Sequence, residues 1–304
     1  MPNLKLGIIG DCHFTDKRPI YRNDEDFYKT QFDKLNFVLT SLAETKFDIF
    51  LGDMFDTVNP SRYLVNNIIS ILQKFNKQRL YVMGNHEKIG SINIKDYSDS
   101  AIFSSYLAKV IEISENKEIE NVMFKFIPEF EIENDKTWIF DEKFKSYKKV
   151  IIAHKMLTDK HVNFEHILIN DINTNADIVI SGHYHYSFEK KIGKTIFLNP
   201  GSIIRSDINE KDKKCYIYNI EIGNDIKLNK IEIPLNNNAF NIEKYEETKK
   251  NQIELESFIN SISNMKIEVS NPDIMIKELI KDADKNIGTM ITKEFDKLKL
   301  EGLC

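Results

Sequence analysis

Three cysteines, Cys12, Cys215 and Cys304, are all that this 304-residue chain contains, and no two form a CxxC pair. Their scarcity excludes a disulfide framework and a structural zinc knuckle and agrees with a reducing compartment, so a cytoplasmic location is expected. No apolar run approaches the roughly 18 residues that a bilayer span requires, and the opening MPNLKLGIIGD reaches a carboxylate too early for a secretory leader. Neither membrane insertion nor secretion is expected. Positive charge is scarce as well. With 42 Lys+Arg against 47 Asp+Glu the formal charge is −5, so no global field draws in nucleic acid or anionic lipid, and any polyanion must be met locally. Arginine occurs only as Arg18, Arg22, Arg62, Arg79 and Arg205.

What remains is the composition of a folded protein. Hydrophobic residues make up 41% of the chain, with 20 Phe and 12 Tyr, too apolar for a disordered segment. Over the first two hundred residues short apolar runs alternate with segments of helical period, which predicts an α/β domain. Strands are expected at 4–9, 48–51, 80–83, 150–153 and 177–180. A helix is expected over 27–42, where Phe32, Leu35, Leu39 and Leu42 fall on one stripe, and a second after Pro60, capped by Asn59 or Ser61. Beyond about residue 187 the helical period gives way to runs that read as antiparallel strands, with turns at Gly193 and at Gly223 and Asn224. The Asn-rich stretch 234–241 reads as a linker and divides the chain into 1–235 and 236–304. In the second part a stripe of Leu255, Phe258, Ile259 and Ile262, an alternating run at 266–269 and a last stripe from Ile287 to Leu298 predict a small α+β module. Such a module buries little by itself and is expected to cap the first domain, dimerise or bind a partner.

The chemistry lies at the strand ends. The five predicted strands run into Gly10-Asp11-Cys12-His13, Gly52-Asp53-Met54-Phe55-Asp56, Gly84-Asn85-His86-Glu87, His154 and Gly182-His183-Tyr184-His185. Ligand sites in α/β sheets collect outside the carboxyl ends of strands, so these endings should converge on one crevice. Five of the seven histidines sit in them. A single such ending would be an ordinary turn, but buried carboxylates and imidazoles gathered together are costly unless cations neutralise them. A mixed oxygen and nitrogen set without thiolates suits two divalent ions, Mn, Fe or Zn better than Ca or Mg, and ligand type alone does not choose among them. Asp53 is the best-placed bridge, because a carboxylate has two oxygens. His161 and His166 are expected in a helical stretch outside the site. The guanidinium groups of Arg18, Arg22 and Arg205, in loops that follow the motifs, are candidates for phosphate contact.

The order Asp-x-His, Gly-Asp-x-x-Asp, Gly-Asn-His-Glu, His and Gly-His-x-His resembles the calcineurin-like metallophosphoesterases over roughly residues 4 to 235. The resemblance implies a four-layer α/β/β/α sandwich with a binuclear centre. It implies that Asp11, His13 and His185 hold one ion, that Asn85, His154 and His183 hold the other, and that Asp53 bridges them. His86 would serve catalysis on the scissile phosphate, oriented by Asp56. GDMFDTVNPS lacks the Asp-Arg-Gly continuation of the Ser/Thr protein phosphatases and is similar to a stretch of the SbcD-type DNA repair nucleases. That similarity implies a Mn-dependent exo- or endonuclease subunit with DNA as substrate, an SbcC-type coiled-coil ATPase as partner, and a homodimer. A phosphodiesterase or phosphatase for small molecules or nucleotides stays open beside it, as does a non-catalytic scaffold.

Overall fold

A computed structural model describes residues 3–87, 98–130, 136–236 and 238–264, with isolated positions between 277 and 296. The chain divides into two compact units, Met1–Ala239 and Phe240–Cys304. The first unit runs β1 (Leu4–Ile9), α1 (Phe27–Ser41), β2 (Phe47–Phe50), α2 (Arg62–Lys74), β3 (Gln78–Tyr81), α3 (Ala101–Leu107), β4 (Glu112–Ile113), β5 (Lys117–Ile119), β6 (Val122–Ile127), β7 (Thr137–Trp138), β8 (Lys148–His154), β9 (Leu157–Thr158), β10 (Ile167–Leu168), β11 (Asn173–Thr174), β12 (Ile178–Gly182), β13 (Phe188–Ile192), β14 (Thr195–Asn199), β15 (Tyr216–Ile222) and β16 (Ile226–Glu232).

Two six-stranded sheets carry the fold, in the orders β16-β15-β1-β2-β3-β4 and β13-β14-β12-β8-β6-β5. In the first, β1 to β4 are parallel and the β15–β16 hairpin joins antiparallel at β1. The second repeats the plan: β6, β8, β12 and β14 are parallel, and β5 and β13 close the edges antiparallel. Alternate residues of both sheets meet face to face, Leu6, Ile8, Ile49 and Leu80 against Phe124, Val150, Ile152, Ile178 and Ile180. This period-two burial is what strands with one face on each of two cores require.

The outer face of the first sheet is covered by α1 and α2, whose Leu35, Val38, Leu39, Leu64, Ile68 and Leu72 pack with Ile9, Phe50 and Tyr81. Asp26 caps α1 by accepting from the Lys29 N–H, and Ser61 caps α2 by accepting from the Leu64 N–H. Trp138, Phe140, Leu157 and Ile169 cover Ile151, Val179 and Phe197 on the other outer face. The expected α/β sandwich is therefore present, and among the described residues its fourth layer is made of short paired strands and one-turn 3₁₀ helices at Glu142–Phe144 and Ile169–Asp171. The helix expected after His154 is absent. Residues 155–168 form turns and the short β9 and β10, and Ile167 N–H reaches back to Met156 O (2.9 Å).

In the second unit α4 (Ile242–Asn264) covers the first expected stripe, with Asn241 accepting from the Lys244 N–H at its start. The side chains of Phe258, Ile259 and Ile262, the run at 266–269 and most of the last stripe lie outside the described residues. No helix among the described residues is long and apolar enough to cross a membrane.

Candidate metal centre

The parallel order of each sheet brings the motif-bearing strand ends to one rim. Past the end of β1 the chain stays zipped to the end of β2, because the Cys12 and His13 N–H groups both donate to Asp53 O (3.1 and 2.9 Å) and Phe14 pairs with Phe55. In the second sheet Gly182 lies opposite His154 in parallel register. Three of the expected ligands have positive φ, His13 (45°), Asp53 (45°) and His183 (75°). Non-glycine residues rarely adopt that conformation, and it collects where packing enforces a functional geometry. Gly84 allows the approach: a Cβ there would sit 2.1 Å from Asp53 Oδ1.

Three overlapping groups of donors result among the described residues, and two of them carry the expected ligand sets. Asp11, His13 and His185 form one, with His13 Nε2 and His185 Nε2 3.0 Å apart. Asp53, His154 and His183 form the other, where His154 Nε2 lies 3.2 Å from both His183 Nδ1 and Asn85 Oδ1. Asp53 Oδ2 stands between the groups, 3.2 Å from His154 Nε2 and 3.7 Å from His13 Nε2. Asp11 and Asp53 are each 1% exposed.

Acceptor oxygens lie beside the far nitrogens of three of the rings. Leu51 O faces His154 Nδ1, Asp56 Oδ1 lies 3.3 Å from His13 Nδ1, and Glu210 Oε1 lies 3.4 Å from His185 Nδ1. On the inner side His13 Nε2 faces His185 Nε2 at 3.0 Å and His154 Nε2 faces His183 Nδ1 at 3.2 Å, pairs of ring nitrogens that need a cation or a proton between them. The donor set thus fits two divalent ions held by oxygen and nitrogen.

The electrostatics of the cluster agree. Burial opposes charge on His154, but Asp53 beside it raises the imidazole to about 10; burial would raise Asp53, and His154 instead holds it well below the carboxylate range. Burial and the neighbouring His154 push His183 down to about 4. Burial opposes a charged His185 too, and Glu210 raises it; Glu210, which burial alone would raise, is held at about 2 by His185 and Lys213. One consequence is testable. With its ring raised to about 10, His154 carries a proton at neutral pH that an ion must displace, so ion binding should release protons and tighten as pH rises toward that value. Calorimetric titration in buffers of different ionisation enthalpy reads this release directly, and binding without net proton release would contradict it.

The family model of calcineurin-like phosphoesterases matches residues 4–187. The chain belongs to that family. It is accordingly a metallophosphoesterase, a hydrolase of phosphate esters of the kind that uses two divalent ions. Solved structures similar to this phosphoesterase include a predicted phosphoesterase from Streptococcus pneumoniae TIGR4, 16% identical over 76% of this chain and 91% of that one, with a TM-score of 0.35. A putative 5'-nucleotidase from Staphylococcus aureus is 11% identical over 77% and 55%, with a TM-score of 0.44. An archaeal phosphodiesterase is 13% identical over 75% and 99%, with a TM-score of 0.39. No curated protein matches the sequence.

A cleft of about 500 Å³ opens over the ligands of this phosphoesterase, lined also by Asp56, His86, Met156, Phe164, Tyr184, Tyr186 and the turn residues Ser206, Asp207, Asn209 and Glu210. His86 lies here as expected, its ring one-third exposed. Asp56 meets His86 through its backbone: its carbonyl receives His86 Nδ1 at 2.6 Å, whereas its carboxylate lies 3.9 Å from that nitrogen and 3.3 Å from His13 Nδ1.

The expected arginines separate. Arg22 is 4% exposed, forked onto both oxygens of Asp24 (2.7 and 2.8 Å), and donates to Arg205 O. Arg205 is 5% exposed and donates to the carbonyls of Lys211 and Asn236. Both guanidinium groups fasten loops to one another and are buried away from the cleft, which corrects their assignment to substrate. Arg18 alone is exposed; one nitrogen donates to Asp24 O (2.6 Å), and the residue lines a groove beside the cleft.

Two residues carry more than sequence reasoning gave them. Glu87, 4% exposed, accepts from the Gly84 N–H (2.7 Å), the Met54 N–H (3.1 Å) and the Tyr81 hydroxyl (2.7 Å), stapling the ends of β2 and β3 together. Burial, then the Asp53 carboxylate, raises it to about 7. It closes the Gly-Asn-His-Glu motif, so its position was visible though its partners were not. Glu210 lies in the charged run 207–214 and is marked as special only by its contact with His185.

Proposed function

We propose that the chain is a Mn-dependent phosphodiesterase that cuts DNA, a nuclease of the SbcD type. The observation that carries this reading is a second groove of about 550 Å³, lined by Asp16, Lys17, Arg18, Thr57 and Asn59, which shares Asp56, Ser206 and Asp207 with the metal cleft; the Asp16 carboxylate accepts from Ser61 and Tyr28. A polymer with its scissile phosphate over the ligands would have neighbouring phosphates within reach of the two basic residues. The motif Gly52-Asp53-Met54-Phe55-Asp56 followed by Pro60-Ser61 supports the same branch.

Two divalent ions, when bound, would polarise a phosphoryl oxygen and lower the pKa of a water. Asp11, His13, His185, Asn85, His154 and His183 would hold them in two sets, with Asp53 between the sets. The Asp56 carbonyl takes the Nδ1 proton of His86 in a hydrogen bond, which turns Nε2 toward the cleft, where it delivers a proton to the leaving oxygen. Met156, Phe164, Tyr184 and Tyr186 give that cleft an apolar wall. In the same reading residues 236–304 engage a coiled-coil ATPase or a second copy of the chain.

A second reading, a phosphodiesterase for small molecules or nucleotides, is favoured by one feature: among the described residues the cleft lining holds Asp53, Asp56, Asp207 and Glu210 but neither lysine nor arginine. Salt separates the two. Cleavage of DNA with Mn restored to stripped protein should fall steeply between low and moderate salt, by about tenfold or more if several phosphates are held, while hydrolysis of bis-p-nitrophenyl phosphate should change little. DNA left intact under all metals, with the ester hydrolysed, would decide for the small substrate.

A further inference from the structure

The segment from Ser202 to Lys213 is fastened to one ligand set at three points. The Ser202 N–H donates to His185 O (3.2 Å) and the Ile203 N–H to Asp11 O (2.9 Å). The third point is Glu210, whose Oε1 faces His185 Nδ1 at 3.4 Å while Oε2 accepts from the Ser206 N–H (2.8 Å) and closes the turn over 206–210. Lys213, 7% exposed, holds Glu210 Oε1 at 2.6 Å and is itself anchored on Ser202 Oγ and Ile204 O. The other set is supported differently, since His154 rests on a neutral carbonyl, Leu51 O, and Asn85 carries no charge.

We propose that Glu210 is a positioning residue: it fixes the His185 ring for the ion held by Asp11, His13 and His185, and through the turn over 206–210 it couples that ion to the wall of the cleft. The proposal rests on the binuclear reading of the site. An imidazole rotates about its own side-chain bonds, and a carboxylate on its far nitrogen sets both the tautomer and the ring plane and makes the ligand more basic. Lys213 fixes the carboxylate in turn. Ser206, Asp207 and Asn209 of the same turn line the cleft, so a shift of His185 on ion binding reaches residues that face the substrate.

Glu210→Gln removes the charge but keeps an oxygen that can accept from the turn, which separates positioning from capping. Titration of the stripped protein with Mn, followed by calorimetry and by hydrogen exchange of the peptide over 202–213, reads both parts of the proposal. In the wild type two ions bind and exchange over 206–210 slows. In Glu210→Gln one ion should weaken by about 10–100-fold, the other should be unchanged, and exchange should no longer slow. Asn85→Ala should weaken the other ion and keep the exchange response. Lys213→Met, which leaves Glu210 in place but unclamped, should weaken the same ion as Glu210→Gln and serves if that variant does not fold. Wild-type affinity for both ions in Glu210→Gln, equal loss of both, or loss of the exchange response in Asn85→Ala would each overturn the proposal. A wild-type protein that takes up no ion would overturn the binuclear reading itself, and this proposal with it.

Discussion

Replacing Asp53 with asparagine is expected to strip both ions from the protein while leaving the sandwich folded. The two ligand groups meet at this carboxylate: Oδ2 lies 3.2 Å from His154 Nε2 in one and 3.7 Å from His13 Nε2 in the other, and Oδ1 accepts the His86 N–H at 2.9 Å. Asparagine keeps the volume, tolerates the φ of 45° that residue 53 adopts, and can still accept from His86. What it loses is the negative charge that both ions share. Asp11 would then be the one anionic ligand left for two divalent cations, since the remaining ligands are imidazoles and an amide. Bound metal measured by elemental analysis after gel filtration should fall from two ions per chain to below one. Hydrolysis of a model diester should fall by at least about 100-fold, the upper end of what loss of even an indirect support costs. Full retention of both ions in Asp53→Asn would remove Asp53 from the bridging position.

The same residues explain why so much of the site was legible from sequence. Each ligand follows a run of buried strand residues and usually a glycine, so the alternating pattern that gives β1, β2, β3, β8 and β12 also gives the addresses of Asp11, Asp53, Asn85, His154 and His183. The outer face of the second sheet was less legible, because short strands and single 3₁₀ turns leave no period to read over 136–174. Arg22 shows a further limit. Its partner Asp24 is two residues away and visible in sequence, but the burial that turns the pair from a surface feature into an internal fastening comes from the chain around Arg205 and the ring of Phe27. Asp56 and Glu210 show a third. Both carboxylates act on the far nitrogens of ligand histidines, 43 and 25 residues away in the chain (56 − 13 and 210 − 185), and no local pattern encodes such a contact.

His86→Ala should give the converse of Asp53→Asn: both ions retained, turnover lost. The backbone of His86, not its ring, is tied to the bridging carboxylate, through the N–H to Asp53 Oδ1, and alanine keeps that N–H. The ring packs edge-on against His13 at 4.6 Å and hangs from the Asp56 carbonyl by Nδ1, leaving Nε2 for the cleft. Asp53, His13 and His86 also lie close enough to hold an ion together, so the metal count decides between a ligand and a proton donor. Two ions in the variant assign the donor role, and the loss of one would make His86 a ligand. The size of the kinetic effect should depend on the leaving group. An alkoxide, such as the sugar oxygen of a nucleotide, is a poor leaving group without a proton, and there the loss should reach about 10²–10⁴-fold, the usual contribution of a placed general acid. The phenolate of bis-p-nitrophenyl phosphate leaves readily unprotonated, so its hydrolysis should suffer much less. An equal loss on both substrates would mean that the ring stabilises charge on the phosphate instead of protonating the departing oxygen, because only the second role distinguishes one leaving group from another.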